Sequence, residues 1–407
     1  MEKIILFLLL YLFTIQNSEA QWYTQQSGTT NALYDIEFIN KNTGWSCGDG
    51  IILKTTNGGI NWANNLNDAP FKPYSAIFPV DSNVIYAVGF FRTFIKSTNG
   101  GENWSIIENG NPSEGDYYSL YFINQNTGWA GVNLGSGIVG IKKTTDGGNN
   151  FIFGQTTGIP QDLYFKDSLN GLGVGGLSYI YRTTDGGLNW SSYSIVQNGD
   201  FYRVSFINGN TGFTSSTRAF YKTTNFGVSW DSIGRVSPLN IDVTSIEFCN
   251  ENTGWAGTQS PVYKTTNGGR NWVQQFLTGV VYSIYSFNDS LVWTCGNAGR
   301  IWHTSNGGIS NLHNISNSVP SIFKLYQNYP NPFNGQTKIK IDISKNGIYE
   351  MDIFNTAGKK IETIFNGELN TGQYELKFDG KELSSGIYFY RLSGNYISET
   401  KKLILIK

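Results

Sequence analysis

The chain has 407 residues, of which 48 are glycine and 15% are aromatic, and its formal net charge is −1. Because single hydrophobic cores usually stop growing near roughly 250 to 300 residues, the length predicts two domains. Neither part is strongly basic: residues 21–318 carry 16 Lys and Arg against 19 Asp and Glu, a net charge of −3, and residues 319–407 carry 12 against 9, a net charge of +3. Nucleic-acid binding needs a concentrated basic face, so this class of function is excluded.

The first twenty residues predict a secretory signal peptide. Lys3 precedes an apolar run from Ile4 to Ile15, and Ser18-Glu19-Ala20 supplies small residues for cleavage near Ala20. The alternative is a membrane anchor, but a run of 12 residues is shorter than the roughly 20 that a spanning helix needs. We therefore expect an exported protein with no transmembrane segment.

A hexapeptide that starts with a cation and usually ends in two glycines recurs seven times. The copies are KTTNGG at 54, KSTNGG at 96, KTTDGG at 143, RTTDGG at 182, KTTNFG at 222, KTTNGG at 264 and HTSNGG at 303. A period near 40 residues in strand-like sequence is typical of four-stranded propeller blades. The pattern predicts an all-β chain with a seven-bladed β-propeller over residues 21–315.

Each unit has the same internal order of strands and turns. The first runs ALYDIEFI, GWSCGD, IILKTT and NWANNL, and its Asn-Gly turn supplies the positive φ angles that a tight hairpin needs. One aromatic residue per unit follows the turn and is expected to cover the hairpin. These residues are Trp62, Trp104, Phe151, Trp190, Trp230 and Trp272.

The seventh unit, HTSNGGISNLHNI, lacks the Asn-Trp pair that begins the fourth strand elsewhere. The segment QWYTQQ at 21–26 matches NWVQQF at 271–276. We therefore expect residues 21–26 to form the outer strand of the last blade, which removes the open edge between the first and last blades.

The repeat resembles two known patterns. The stretch Thr144, Asp146, Gly148, Asn150 and Phe151 resembles the Asp-box of bacterial neuraminidase (BNR) repeats, which supports the fold and not catalysis. The wider blade pattern, NTGW followed by KTTNGGxNW, resembles the photosystem II assembly and stability factor family. That resemblance implies a seven-bladed propeller that binds membrane-protein subunits during their assembly.

After Asn317 the repeat stops, and alternating runs such as TKIKIDI and YELKFDG predict a small immunoglobulin-like β-sandwich. We place a linker at 316–328 and this domain at 329–407. Its motifs are YPNPFN (Tyr329, Pro330, Asn331, Pro332, Phe333 and Asn334), NTAGK at 355, LSSGIY with Gly386 and Tyr388, and KKLILIK with Lys402.

These four motifs resemble the type A sorting domain of the type IX secretion system. The resemblance implies an address read by the type IX secretion machinery, location at the cell surface or outside the cell, and a source among the Bacteroidota or their relatives. The alternative is a carbohydrate-binding or adhesive immunoglobulin-like domain, because sandwich folds carry many functions.

Three cysteines leave at least one unpaired in an exported chain. Cys47 and Cys295 occupy the same position of different repeats. Equivalent strands of neighbouring blades lie about 10 Å apart, whereas disulfides need Cα atoms within about 7 Å. We expect Cys47, Cys249 and Cys295 to be buried free thiols.

Titratable groups suited to catalysis are few. The only histidines are His303, which occupies the Lys position of the repeat, and His313. Asp146 and Asp185 replace Asn inside hairpin turns, where stabilising the turn is their expected role. The sequence nominates no catalytic residue, metal site or cofactor, and predicts a protein that is not an enzyme. A secreted glycan-active hydrolase of the sialidase or glycosidase type is the alternative function.

The variable loops predict a binding face, because loops after the second strand and loops between blades share one end of a propeller. Aromatic and Arg residues, which binding hot spots favour, occur there at Phe91, Arg92, Tyr117, Tyr118, Tyr202, Arg203, Arg218 and Arg300. The sequence predicts a scaffold that binds an unknown protein or glycan ligand through this face.

Overall fold

The protein is described here by a computed structural model, which covers residues 22–407 except 68–71, 112, 196–198, 217–218, 235–241, 260–261, 276–278, 306, 309–311, 317–319, 370, 381–382 and 395–396. The predicted signal peptide, residues 1–20, lies outside the described residues. The chain forms two compact units, Gln21–Gly308 and Ile309–Lys407. Within the described part of the chain, no helix has the length and hydrophobicity needed to cross a membrane.

The first unit is a seven-bladed β-propeller, as predicted. Each blade is a four-stranded antiparallel sheet, and in blades 1 to 6 the strands follow one another in the chain. Blade 1 has β2 Leu33–Phe38, β3 Gly44–Gly48, β4 Ile51–Thr55 and β5 Ala63–Asn67. Blade 2 has β6 Tyr74–Pro79, β7 Ile85–Gly89, β8 Thr93–Ser97 and β9 Ser105–Glu108. Blade 3 has β10 Asp116–Phe122, β11 Gly128–Asn133, β12 Val139–Thr144 and β13 Ile152–Gln155. Blade 4 has β14 Pro160–Phe165, β15 Gly171–Gly175, β16 Tyr179–Thr183 and β17 Ser191–Ser194. Blade 5 has β18 Val204–Phe206, β19 Gly212–Ser215, β20 Phe220–Thr223 and β21 Asp231–Gly234. Blade 6 has β22 Val243–Phe248, β23 Gly254–Thr258, β24 Val262–Thr265 and β25 Val273–Gln275. Short 3-10 turns cover Gly176–Ser178 and Asn297–Gly299.

Blade 7 joins the two ends of the propeller sequence. It combines β26 Val281–Ser286, β27 Val292–Gly296 and β28 Ile301–Thr304 with β1 Tyr23–Gln25, which lies antiparallel to β28. Gln25 then links this blade to blade 1: its Nε2 donates to the Gly58 carbonyl at 2.9 Å, and its Oε1 accepts from Trp62 Nε1 at 3.0 Å. The N-terminal strand therefore closes the ring.

One hydrogen bond recurs in the hairpin between the third and fourth strands of the blades. In blade 4 the Thr183 hydroxyl accepts from the Gly187 N–H at 2.8 Å and donates to Asp185 at 2.8 Å. Gly187 has a φ of +89°, which side chains other than glycine rarely adopt. Asp146 makes the same contacts in blade 3, with Thr144 and with the Asn150 N–H. Both aspartates thus stabilise turns.

The second unit contains two four-stranded sheets and is an immunoglobulin-like sandwich. One sheet has β29 Leu312–Ser316, β30 Lys324–Leu325, β31 Gln336–Ile343 and β34 Gly372–Asp379; the other has β32 Gly347–Asn355, β33 Lys360–Leu369, β35 Gly386–Gly394 and β36 Ile397–Leu405. Because β29 pairs with β34, residues 312–316 belong to this unit. The expected propeller end at 315 and linker at 316–328 therefore differ from the structure: β1 takes the outer position of blade 7, and β29 and β30 are strands of the sandwich.

The sorting motifs lie close together in the second unit. Asn331 Oδ1 accepts from the Ile404 N–H at 2.9 Å, and the buried Phe333 exchanges backbone hydrogen bonds with Ile404 and Ile406. Gly386, Tyr388 and Phe389 pair with Leu405, Leu403 and Lys402 along β35 and β36. Pro330, Pro332 and Asn334 complete the same segment, while Tyr329 is 80% exposed. The first and last motifs of the domain thus form one contiguous region.

Candidate binding face and central channel

The loop face is the surface formed by loops after the second strand of each blade and by loops between blades. Of the predicted site residues there, Tyr117 is fully buried and donates to Glu108 at 2.8 Å. Arg92 and Lys142 contact the same carboxylate at 3.3 and 2.7 Å. These groups form a half-buried ionic cluster that supports blades 2 and 3, so Arg92 and Tyr117 are engaged within the protein.

The other predicted residues are spread around the face. Phe91 is half-buried with a φ of 59°. Arg300 donates to Asn297 Oδ1 at 3.0 Å and lines an open polar pocket of about 530 Å³ beside the β1 seam. Arg218 lies outside the described residues. The three described arginines of the prediction do not form one patch: Arg92 contacts Glu108, Arg203 lines the central channel and Arg300 contacts Asn297.

A repeated β-bulge arranges the mouth of the channel. In six blades the register of the first strand shifts by one residue, and blade 5 has Tyr202 at the equivalent place. A bulge re-aims a side chain, and here all seven such residues are half-buried near the loop face. They are Tyr34, Ser75, Tyr118, Gln161, Tyr202, Thr244 and Tyr282. We call Tyr34, Tyr118, Tyr202 and Tyr282 the tyrosine rim.

Aspartates lie next to three of the rim tyrosines. Tyr34 donates to Asp49 at 2.9 Å, and burial together with this carboxylate raises the pKa of Tyr34. Burial also raises the pKa of Tyr118 and Tyr202, with Asp116 beside the former and Asp200 beside the latter. The hydroxyls of Tyr34, Tyr118 and Tyr202 therefore stay protonated at neutral pH, and that of Tyr34 donates its proton to Asp49.

An exposed apolar side chain lies in the same face at Leu177. Its side chain is 73% exposed, its φ is 58°, and its N–H donates to Asp200 at 2.7 Å. A non-glycine residue in this conformation costs about 1 to 3 kcal/mol, and such residues cluster at functional sites. The loop face thus combines aromatic and apolar contacts near the channel.

The central channel contains a cavity of about 230 Å³ lined by the first strands of all seven blades. Arg203 crosses it: its Nη2 lies 3.0 Å from Asp35 Oδ1, and its Nη1 lies 3.9 Å from Asp162 Oδ1. Ser283 also donates to Asp35, at 2.8 Å. The predicted surface residue Arg203 is therefore an internal link between blades 1, 4 and 5.

The two aspartates also connect neighbouring blades through the backbone. Asp35 accepts the Ile77 N–H at 3.1 Å, and Asp162 accepts the Val204 N–H at 2.9 Å. Burial raises the pKa of Asp162 to about 6, against the lowering effect of Arg203. Among the described residues, no group of three or more His, Cys, Asp or Glu is arranged to hold a metal ion.

Sequence reasoning missed the channel carboxylates Asp35, Glu37, Asp162 and Glu247. Aligning the seven first strands residue by residue places Asp35, Asp162 and Arg203 at one position. Glu37 and Glu247 share the position two residues later. Charged residues on the inner strand of a propeller, spaced by two, are the signal that would have revealed them.

Comparison with known proteins agrees with these two units. Residues 14–152 and 152–275 match the family described as photosynthesis system II assembly factor YCF48, and residues 327–407 match the secretion system C-terminal sorting domain. A comparison with curated proteins gave no significant match.

Several solved structures share the fold. "YCF48 bound to D1 peptide" is 19% identical, with a TM-score of 0.57, and covers 70% of this chain and 97% of that chain. YCF48 from Cyanidioschyzon merolae is 18% identical, with a TM-score of 0.57, covering 70% and 98%. The WD40 β-propeller domain of Doa1 is 10% identical, with a TM-score of 0.55, covering 70% and 95%.

At these identities the structures establish the fold alone. The sorting domain directs the protein to the cell surface or the extracellular space. With its seven-bladed ring and matched repeats, the chain belongs to the photosynthesis system II assembly factor YCF48 family and carries a C-terminal type IX secretion sorting domain.

Proposed function

We propose that this protein is an exported scaffold that binds an extended polypeptide segment on its loop face, around the tyrosine rim. The rim is the observation that carries this proposal, because bulges place Tyr34, Tyr118 and Tyr282 at the channel mouth and Tyr202 occupies the equivalent position of blade 5. Tyrosine supplies a large contact area at a low entropy cost and a hydrogen bond at its tip. Tyr34 and Tyr282, with ring centroids 5.3 Å apart, offer a paired aromatic surface.

We expect a polypeptide to fit this surface better than a glycan, because its backbone N–H groups can donate to the rim hydroxyl oxygens while its apolar side chains contact Leu177. The similar propeller described as YCF48 bound to D1 peptide also holds a peptide, which supports this class of ligand. The function we propose is binding and not catalysis, because Asp35 and Asp162 are engaged in linking blades.

Export would depend on two targeting segments, one at each end of the sequence. We propose that residues 1–20 are a signal peptide for the first membrane. The type IX machinery would then recognise the contiguous motif region of the second unit, as expected for a protein of the Bacteroidota or their relatives. The loop face would meet its partner at the cell surface or in the medium.

A selection of displayed random peptides on the mature protein tests the function. Selected peptides should bind the wild type and lose about thirtyfold in affinity on Tyr34→Ser/Tyr282→Ser, as for interface tyrosines worth about 2 kcal/mol. Ile60→Ser, at an exposed hairpin position elsewhere in blade 1, is the matched control and should bind normally. Equal binding by the rim variant, or binding to glycans with no selected peptides, would overturn the proposal.

A further inference from the structure

The inner end of the channel cavity, away from Arg203, has a chemistry that the loop face does not use. Glu37 and Glu247 line the cavity two residues along their strands from the Arg203 level, together with Phe78, Tyr121 and Tyr164. We call this inner end of the cavity the chamber, and we propose that it binds an organic cation in the form of an alkylammonium or guanidinium group. The inference is independent of whether a polypeptide binds the tyrosine rim.

The first argument is an imbalance of charge. Four carboxylates and one guanidinium line the cavity among the described residues. Arg203 is directed to Asp35 and Asp162, the two carboxylates near the loop face. Glu37 and Glu247 form no ion pair within 4 Å with any residue in the described ranges. This end of the cavity therefore lacks a positive charge, which a cationic ligand would supply.

The second argument is the state of Glu37 itself. The side chain of Glu37 is half-buried and lines the cavity. Its carboxylate accepts no hydrogen bond from any described residue. Burial, followed by Asp35 and Glu247, raises its pKa well above the ordinary range. Burial thus disfavours the ionised carboxylate, although Arg203 opposes this effect, and a cation bound beside Glu37 would favour the ionised form.

Glu247 is better satisfied and yet also lacks a cation. Ser205 and Ser286 donate to its two oxygens at 3.0 Å each. Burial still raises its pKa to about 7. Two hydroxyl donors hold the carboxylate without supplying a positive charge, so a bound cation would find it on one side of blade 7 and Glu37 on the other.

The third argument is the aromatic wall. Phe78, Tyr121 and Tyr164 come from three consecutive blades, with ring centroids 5.2 Å apart for the first pair and 5.5 Å for the second. Tyr285, in blade 7 between the blades of the two glutamates, adds a further ring close to both carboxylates. Aromatic faces combined with carboxylates recognise ammonium and guanidinium groups.

An organic cation suits the chamber better than a metal ion. Ca²⁺ requires six to eight oxygen ligands and Mg²⁺ a near-octahedral set, whereas this end of the cavity offers two carboxylates and aromatic rings. A volume of about 230 Å³ has room for a group of several non-hydrogen atoms. The ligand could be a small free amine or the side chain of a partner's Lys or Arg, because both present the same chemistry.

Isothermal titration calorimetry on the mature protein tests the site, with agmatine as the free cation and acetyl-Gly-Arg-Gly-amide as the side-chain form. We expect at least one probe to bind and to release protons at pH 6, measured from the dependence of the heat on buffer, because a cation favours ionised carboxylates. Glu37→Gln and Glu247→Gln should each weaken binding about tenfold or more. Glu251→Gln, at an exposed carboxylate paired with Lys222, is the matched control.

The outcomes separate the sources and the alternatives. Tighter binding of agmatine indicates a free amine, and tighter binding of the peptide indicates a partner's side chain. The proposal is overturned if neither probe binds, if CaCl₂ displaces the bound probe at equal concentration, or if both glutamine variants bind normally. Saturation-transfer NMR of agmatine on the wild type gives a result that needs no variant to fold. Tyr34→Ser/Tyr282→Ser should leave agmatine binding unchanged, which separates this site from the loop face.

Discussion

Arg203 and Asp35 form an ion pair across the centre of the propeller, with Nη2 and Oδ1 3.0 Å apart. The residues are separated by 168 positions and belong to blades 5 and 1, which are not neighbours in the ring. The side chain of Asp35 is 4% exposed and that of Arg203 is 20% exposed. This link therefore holds opposite sides of the ring together where contacts between adjacent blades cannot.

Replacing the cation tests the strength of this link. Arg203→Met keeps the bulk but leaves Asp35 without its partner, and breaking a buried pair costs about 3 kcal/mol or more. Lys222→Met is the control, because Lys222 pairs with the exposed Glu251 and such pairs contribute less than about 1 kcal/mol. Urea unfolding measures both. Equal stability of the two variants would show that the channel pair contributes no more than a surface pair.

The position of Arg203 also shows which features of the propeller could be predicted from the sequence and which could not. The period of the hexapeptide predicts seven blades because turn chemistry and alternating strands act locally. The function of Arg203 depends on which residues of distant blades face it, and ring closure alone decides that. An Arg beside Tyr202 therefore had the features of a surface hot spot, although its guanidinium lies inside the channel.

The sequence predicted two of the four residues of the tyrosine rim. Tyr118 and Tyr202 were expected on the loop face, whereas Tyr34 and Tyr282 were missed. Tyr34 and Tyr282 lie in sequence runs that have the alternation of a regular strand. The bulge that places them at the channel mouth depends on how the first strand of the blade pairs with the second. The seam between β1 and β28 was expected from the missing Asn-Trp of the last unit, because an unpaired edge strand is unfavourable.

Truncating Trp22 tests the closure of the ring. Trp22 precedes β1, is 7% exposed, and packs with Trp255, Val281 and Ile284. Trp22→Ala should lower the free energy of unfolding by about 3 to 5 kcal/mol, the usual cost of removing a buried Trp side chain. Thr24→Ala, at an exposed position of the same strand, should change it by less than about 0.5 kcal/mol. Thermal unfolding would contradict the closure role if both variants melted together.

The pH dependence of stability tests the environment of Glu247. Its pKa rises from an ordinary 4.5 to about 7 in the folded chain. Its protonated form therefore favours folding fully below about pH 4.5, and this contribution is lost as the pH rises through 7. Glu247→Gln should gain stability relative to the wild type between pH 5 and 8, by about 2 kcal/mol after allowing for partial exposure. A difference independent of pH, measured by urea unfolding, would argue against the raised pKa.

The three cysteines provide a chemical probe of the closed ring. Cys47, Cys249 and Cys295 are free thiols; Cys47 and Cys295 are fully buried, as predicted, whereas Cys249 is only half-buried. Burial raises the pKa of all three, to about 11 for the half-buried Cys249. Because the thiolate is the reactive form, we expect a disulfide reagent at pH 8 to modify the native protein at least about a hundredfold more slowly than the protein in guanidinium chloride.

Cys249 should react first in the native state, since it alone retains solvent contact, and Cys249→Ser should abolish this first reaction. The unfolded wild type should yield three thiols. A yield of one would reveal a disulfide between Cys47 and Cys295, and rapid modification of these two in the native protein would show that the ring opens between blades 7 and 1. Slow modification that Trp22→Ala accelerates would instead link thiol protection directly to the strand that closes the propeller.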